Sequence, residues 1–151
     1  MNLKLLIGSG DKIGFTTLPF IIIGLILNLM YPSVFSVGGP PFLLAVISMI
    51  ILVLGLIIWG WSVFLILKDV PQKKLITNGP YSLVKHPLYT GVSLLVLPGL
   101  GFLLNTWLGL FIGIVLYFAS RKFSPEEEKY LAKNFGAEWT DYLDKVKLPW
   151  L

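Results

Sequence analysis

Residues 13–67 contain no Asp, Glu, Lys or Arg. This 55-residue stretch constrains the fold more than any other feature of the chain. As a single helix it would run to roughly 80 Å, against a bilayer hydrocarbon core of ~30 Å, so it has to fold back at least once. A second uncharged stretch runs from Pro87 to Ser120. Only 13% of the 151 residues are charged, where a soluble domain carries about a quarter. The expectation is an all-α integral membrane bundle.

Proline, glycine and charge divide it. The pattern predicts four transmembrane helices, at 13–31, 42–67, 88–104 and 107–123, with Pro19 a candidate kink in the first. The Pro- and Gly-rich "YPSVFSVGGPP" (31–41) and the pair Asn105-Thr106 read as turns. Residues 1–12 read as an interfacial lead-in, and "GSGDKIG" within it as a loop, since its spacing misses the dinucleotide fingerprint. No cleaved signal peptide is expected, because the first apolar run can span and no A-x-A-like site follows it. Gly109 and Gly113 form a small-xxx-small pair suited to helix packing. Two units follow, a two-span hairpin over 1–67 and a second unit over 68–151.

All twelve Lys and Arg fall in the N-terminal lead-in, the 68–87 connection and the tail from 124, or at the membrane end that leads into that tail. Four spans would place these segments on one side, which the positive-inside rule makes cytoplasmic, both termini included. The net charge of +4 then reflects topology and attraction to anionic membrane lipid rather than nucleic-acid binding. In the tail, Ser124-Pro125-Glu126-Glu127 reads as a helix start with a capping box, and Asn134-Phe135-Gly136 as its stop. A short helix over 137–147 would carry Trp139, Tyr142, Leu143 and Val146 on one face, against the membrane surface or the other cytoplasmic segments. Together these make a short C-terminal helical cap.

Cysteine is absent and His86 is the one histidine, which removes thiolate chemistry and argues against any zinc site. The chemistry-bearing residues concentrate in "TNGPYSLVKHPLYTG" (77–91) and "EEEKYLAKNFGAEWTDYLDKV" (126–146). His86 before Pro87 can be a helix cap or an interfacial anchor, and tyrosines favour the interface in any case. Their company gives a second reading: Tyr89 lies three residues on, near the same helix face, and Tyr81 sits in the turn leading in. Glu126, Glu127 and Glu128 are three consecutive carboxylates, of which a cap needs one. A solvated acidic face would account for the others.

These two stretches resemble the isoprenylcysteine carboxyl methyltransferase family and its phospholipid-methyltransferase-like relatives. The shared pattern is a G-x-Y turn, R-H-P-x-Y-x-G, a membrane hairpin, E-E-x-x-L and F-G-x-E-Y-x-x-Y, matched in order over residues 73–148. Lys85 stands for the Arg, and Trp139 for the first Tyr of the closing motif. The resemblance implies a membrane-embedded methyltransferase that uses S-adenosyl-L-methionine. It implies that the backbone of residues 73–76 (Lys73, Lys74, Leu75, Ile76) and the side chains of Tyr81, His86 and Tyr89 line the cofactor pocket, with Pro87 and Leu88 in the same stretch. The E-E pair, Glu127 and Glu128, belongs to the implied cofactor site, and its first Glu would bind the cofactor. The family's acceptor-side arginine falls at Phe123 by strict offset, which makes Arg121 a displaced candidate. His86 is the candidate acid–base group.

The chemistry suits such a composition. A sulfonium and an ammonium are met by carboxylates and tyrosine faces. Methyl transfer to an ionised carboxylate needs no base, so alignment and exclusion of water can carry most of the rate. The expected acceptor is lipophilic and enters from the bilayer, an isoprenylcysteine-like carboxylate first, a phospholipid amine second. A related branch that reduces sterols with a nicotinamide cofactor is longer than this chain. The rival from another class is a non-catalytic membrane subunit or small-solute channel.

Overall fold

A computed structural model describes residues 9–39 and 41–149. Among the described residues there are only helices, turns and two isolated bridges. Helix α1 is Gly10–Met30 and α2 the short Pro32–Phe35. Helix α3 is Phe42–Asp69. Helix α4, Pro87–Leu103, is α-helical at both ends with a π turn, Val92–Val96, between them. Helices α5 and α6 are Leu108–Phe135 and Ala137–Lys145.

Helices cover the four predicted stretches: α1, α3 and α4 match their expected limits within a few residues, while α5 starts where expected and runs on to Phe135. The π turn was not foreseen. It precedes Pro98, which lacks an N–H and whose ring would clash with the carbonyl four residues back in a regular α-helix. A wider turn relieves that clash.

The long helices form a row, α1 beside α5, α5 beside α4, α4 beside α3. The charged start of α1 lies on the C-terminal half of α5, and Leu108 at the other end of α5 meets Gly24. The two are therefore antiparallel. Packing is by small residues, as expected where lipid rather than water surrounds the helices. An added Cβ at Gly109 or Gly113 would collide with the carbonyl oxygens of Leu97 and Ser93 on α4. Gly55 on α3 is also packed tightly, an added Cβ lying 2.8 Å from Leu95 and 2.9 Å from Val96.

Buried positions between helices include Thr17, Ser48, Ser62, Ser93 and Ser120, while Phe15, Ile23, Leu29, Leu43, Ile57 and Phe64 face outward. Four of those hydroxyls donate to a carbonyl three or four residues back in their own helix. Ser48 Oγ has no partner among the described residues. Small polar residues inside and large apolar ones outside make this a helical membrane bundle.

The end with few charges is tied together by neutral groups. Trp107 Nε1 donates to the Val34 carbonyl at 2.9 Å, the Gly39 amide to Asn105 Oδ1 at 2.8 Å, and Thr106 Oγ1 to Asn28 Oδ1 at 2.8 Å. Trp107 stacks on Phe35 at 4.7 Å between ring centroids.

Two expectations fail. No helix starts at Ser124: α5 runs unbroken from Leu108 to Phe135, with Ser124 buried and Pro125 in its interior. Extending an existing helix needs no new nucleus. Pro125 removes one backbone bond, to a carbonyl on the exposed stretch around Arg121. Likewise "GSGDKIG" is not a loop, because Gly10 already begins α1, with Asp11 in the first turn where a carboxylate suits the helix dipole. Met1 to Gly8, the rest of the expected interfacial lead-in, lie outside the described residues.

Candidate functional site

The sequence "NGPYS" folds as a single 3-10 turn, Gly79–Ser82, because Pro80 presets φ and Gly79 takes a φ of 58°. Gly79 also abuts the Trp61 indole, where a Cβ would lie 2.9 Å from the ring. This turn leads through Lys85 and His86 to Pro87, which opens α4 and is almost completely buried. Tyr81, His86 and Tyr89 thus arrive at the charged end of α4, facing α5.

Helix α5 answers with its three carboxylates. Successive helical residues are about 100° apart, so each points elsewhere. Glu126 pairs with Lys12 on α1. Glu127 Oε2 accepts a long 3.4 Å bond from the Ser9 amide. Glu128 Oε1 receives both Lys85 Nζ at 2.6 Å and His86 Nε2 at 3.1 Å. The His86 hydrogen bond, with help from Lys85, holds the Glu128 carboxyl down to about 2. It stays charged through the physiological range. Ser9, itself buried, also donates its hydroxyl to the Phe123 carbonyl at 3.0 Å.

The field between these elements is uneven. Burial, with the Glu127 charge next, pushes the Tyr81 phenol well above its ordinary value. Tyr89 lies in the field of Glu127 and Asp11, and its ring centroid is 6.4 Å from that of His86. The outcome is a carboxylate, Glu127, with one long hydrogen bond among the described residues and a charge felt by Tyr81 and Tyr89. Next to it stands a second carboxylate, Glu128, whose Oε1 is held by Lys85 and His86. Such an arrangement suits an organic cation.

The tail holds the same loop from behind. Trp139, Tyr142 and Val146 form a buried cluster with Leu75, Leu131, Phe135 and Leu143. Of the two orientations open to this face, packing on the 68–87 connection and on α5 is the one found. Tyr142 Oη donates to the Tyr81 carbonyl at 2.9 Å, and the Leu148 amide to the Leu83 carbonyl at 2.8 Å. Leu75 ties residues 73–76 to this cluster, with Lys73 and Lys74 exposed and Leu75 and Ile76 half-buried. A groove of about 370 Å³ lies there, lined by Leu75, Thr77, Ser82 and Tyr142 among others.

Of the expected residues, Tyr81, His86, Tyr89, Glu127 and Glu128 come together, with Pro87 and half-buried Leu88 beneath them. Arg121 stands apart, exposed on α5 nearer the membrane. Lys85, Tyr142 and Ser9 were not named as site residues. Lys85 carried a signal, a cation beside His86 in a chain with three consecutive carboxylates. Ser9 carried none, being 118 positions from Glu127. Among the described residues no group of three His, Cys, Asp or Glu is placed to hold a metal ion.

A helical membrane bundle with a cation-suited cluster where a buried Pro87 opens a span defines the class. A family model, "Phospholipid methyltransferase", matches residues 33–138. The chain belongs to that family. It is also 36% identical over 75 residues to two rice proteins, from Oryza sativa subsp. indica and subsp. japonica, each named "Probable protein-S-isoprenylcysteine O-methyltransferase". Those matches cover 50% of this chain and 39% of each relative, so the alignment spans well under half the length of those proteins.

Proposed function

We propose that this chain is an S-adenosylmethionine-dependent methyltransferase that modifies a lipophilic acceptor drawn from the bilayer, first of all the carboxylate of an isoprenylcysteine-like lipid. The observation that carries the reading is Glu127. It is a carboxylate with one long hydrogen bond among the described residues, beside Tyr81 and Tyr89, in a chain of a methyltransferase family. The names of the rice relatives favour the carboxylate acceptor.

In this reading Glu127 would hold the cofactor's ammonium group, and the rings of Tyr81 and Tyr89 would offer faces suited to a sulfonium. The backbone of residues 73–76, with Pro87 and Leu88, completes the pocket, and Glu128 borders it. When bound, the cofactor supplies an electrophilic methyl group. The protein's own part is to align the acceptor and exclude water, since a carboxylate nucleophile needs no base. Arg121, on the membrane side of the cluster, is the cation for an acceptor carboxylate. Four crossings would put both termini, the loop and the tail at the cytoplasmic face, which the one-sided Lys and Arg support. The unit over 68–151 would then hold the cofactor, with the spans of 1–67 on its flanks.

A second reading, N-methylation of a phospholipid amine, draws on the family's description and on the His86–Glu128 pair. A neutral His86 donating from Nε2 to Glu128 keeps its lone pair on Nδ1, where it could take an amine's proton.

The two readings separate by incubating the purified protein with methyl-labelled cofactor and either N-acetyl-S-farnesylcysteine or phosphatidylethanolamine vesicles. A carboxyl ester releases its label as volatile methanol in alkali, and an N-methyl group does not. Base-labile label on the prenylcysteine is expected. Stable label on the phospholipid would select the second reading. If S-adenosylhomocysteine leaves the melting temperature unmoved, a non-catalytic membrane subunit is the better description.

A further inference from the structure

We infer that Glu128 is a positioning residue that acts through Lys85 and His86, clamping the Gly79–His86 loop onto α5 and leaving the cofactor to Glu127. This rests on the methyltransferase reading.

The two neighbouring glutamates occupy different situations. One oxygen of Glu128 already receives two donors, at 2.6 and 3.1 Å, from side chains only 12% and 10% exposed. A cofactor ammonium would have to displace the nearly buried Lys85 ammonium to use that oxygen. Glu127 holds, among the described residues, a single 3.4 Å bond to a backbone amide, close to the limit of a hydrogen bond and readily exchanged for a charge-assisted one. Helical spacing turns Glu127 toward the start of α1 and Glu128 toward Lys85 and His86.

The clamp also completes a pattern. The loop carrying Tyr81 and His86 is gripped from behind by the tail, through Tyr142 Oη to the Tyr81 carbonyl and the Leu148 amide to the Leu83 carbonyl. Glu128 supplies the grip from α5, from two consecutive residues of the loop, Lys85 and His86. Because His86 is followed directly by Pro87 and α4, this bond fixes where the loop ends and the span begins. With it removed, Tyr81, His86 and Tyr89 keep their identities and lose their mutual alignment. A misplacement of about 1 Å at a reacting centre can cost about a hundredfold in rate.

The test compares Glu128→Gln, Lys85→Met, the double variant and Glu127→Gln in the full chain, reading kcat, KM for the cofactor and S-adenosylhomocysteine affinity by calorimetry. Glu128→Gln is expected to lower kcat about 10- to 100-fold while affinity changes within about threefold. Glu127→Gln should do the reverse, chiefly weakening affinity. The double variant should be no worse than its worse single, because both changes break one clamp, and Lys85→Arg should retain activity. Lys85→Met reports on the clamp even if Glu128→Gln folds poorly. The inference fails if Glu128→Gln weakens affinity as much as Glu127→Gln does and adds fully to Lys85→Met, which would make Glu128 a direct ligand. It fails equally if Glu128→Gln matches the wild type. Absence of cofactor binding in the wild type would sink the methyltransferase reading itself, an outcome visible before any variant is made.

Discussion

At the scale of single residues, the continuous helix α5 changes what Ser124 and Glu127 can be. Without a helix start, neither serves a capping box. Glu127→Gln should leave melting without ligand near that of the wild type, since it disturbs only the long bond to Ser9. It should clearly reduce stabilisation by S-adenosylmethionine, because the ammonium then meets a neutral amide in place of a carboxylate and loses the charge–charge attraction. Ser124→Ala should cost much less than the ~1 kcal/mol of a lost cap, alanine being the best helix former. A loss of ~1 kcal/mol or more in that variant would mean that Ser124 does structural work the geometry does not show. Tyr142 gives a prediction in pH. Burial first, and the Glu128 charge second, push its phenol up to about 12 from an ordinary 10.0. A raised folded value means that its stabilisation is intact below pH ~10 and drains away as pH climbs toward ~12. Tyr142→Phe loses the bond to the Tyr81 carbonyl, so it should be weaker by ~0.5–1.5 kcal/mol at neutral pH. The gap to the wild type should close between pH 10 and 12, and melts across that range would show whether it does.

At the scale of helices, the close approach of α4 and α5 depends on the absence of two side chains. The Cβ of Gly113→Ala would meet the Ser93 carbonyl oxygen, and that of Gly109→Ala the Leu97 oxygen, neither of which can swing aside. Overpacking of this kind costs about 1–3 kcal/mol, and backbone contact puts these sites at the upper end. Gly60→Ala, with open space around it, should be neutral by the same thermal assay. Comparable losses at all three positions would mean that glycine there serves something other than packing. The pair Gly109/Gly113 was legible because small residues at a helical spacing have one physical use in lipid. So were the spans, since absence of charge over 55 residues admits few structures. What stayed hidden has equally physical reasons. Ser124-Pro125-Glu126-Glu127 has the local chemistry of a helix start, and only the helix already running through it overrides that preference. The π turn before Pro98 depends on backbone carbonyls that no residue pattern displays. In the site, the motif gathers Tyr81, His86, Tyr89 and the glutamates, while the division of labour between Glu127 and Glu128 depends on which neighbour each reaches. Ser9 is brought in by tertiary packing alone.

At the scale of the whole molecule, the ion pairs among the described residues lie at one end, and the other end is tied by neutral groups. The start of α1, the loop before α4 and the extension of α5 meet through Lys12–Glu126, Ser9–Glu127 and Lys85–Glu128. At the far end, Val34, Gly39 and Asn28 meet Trp107, Asn105 and Thr106 without a single charge. In a bilayer, charged groups belong where water and anionic headgroups are, and the side richer in Lys and Arg faces the cytoplasm. Reporters fused to either terminus should therefore read as cytoplasmic. The chain contains no cysteine, so a single introduced thiol reports its own location with no background. Ser33→Cys, at an exposed position in the neutral turn, should react with a membrane-impermeant maleimide added to intact cells. Lys73→Cys, exposed beside the proposed cofactor loop, should react only after the membrane is opened. If Lys73→Cys labels from outside, or the termini report opposite sides, the cluster of Tyr81, His86 and Glu127 does not face the cytoplasm. It would then lack access to a cytoplasmic cofactor, however well its geometry suits one.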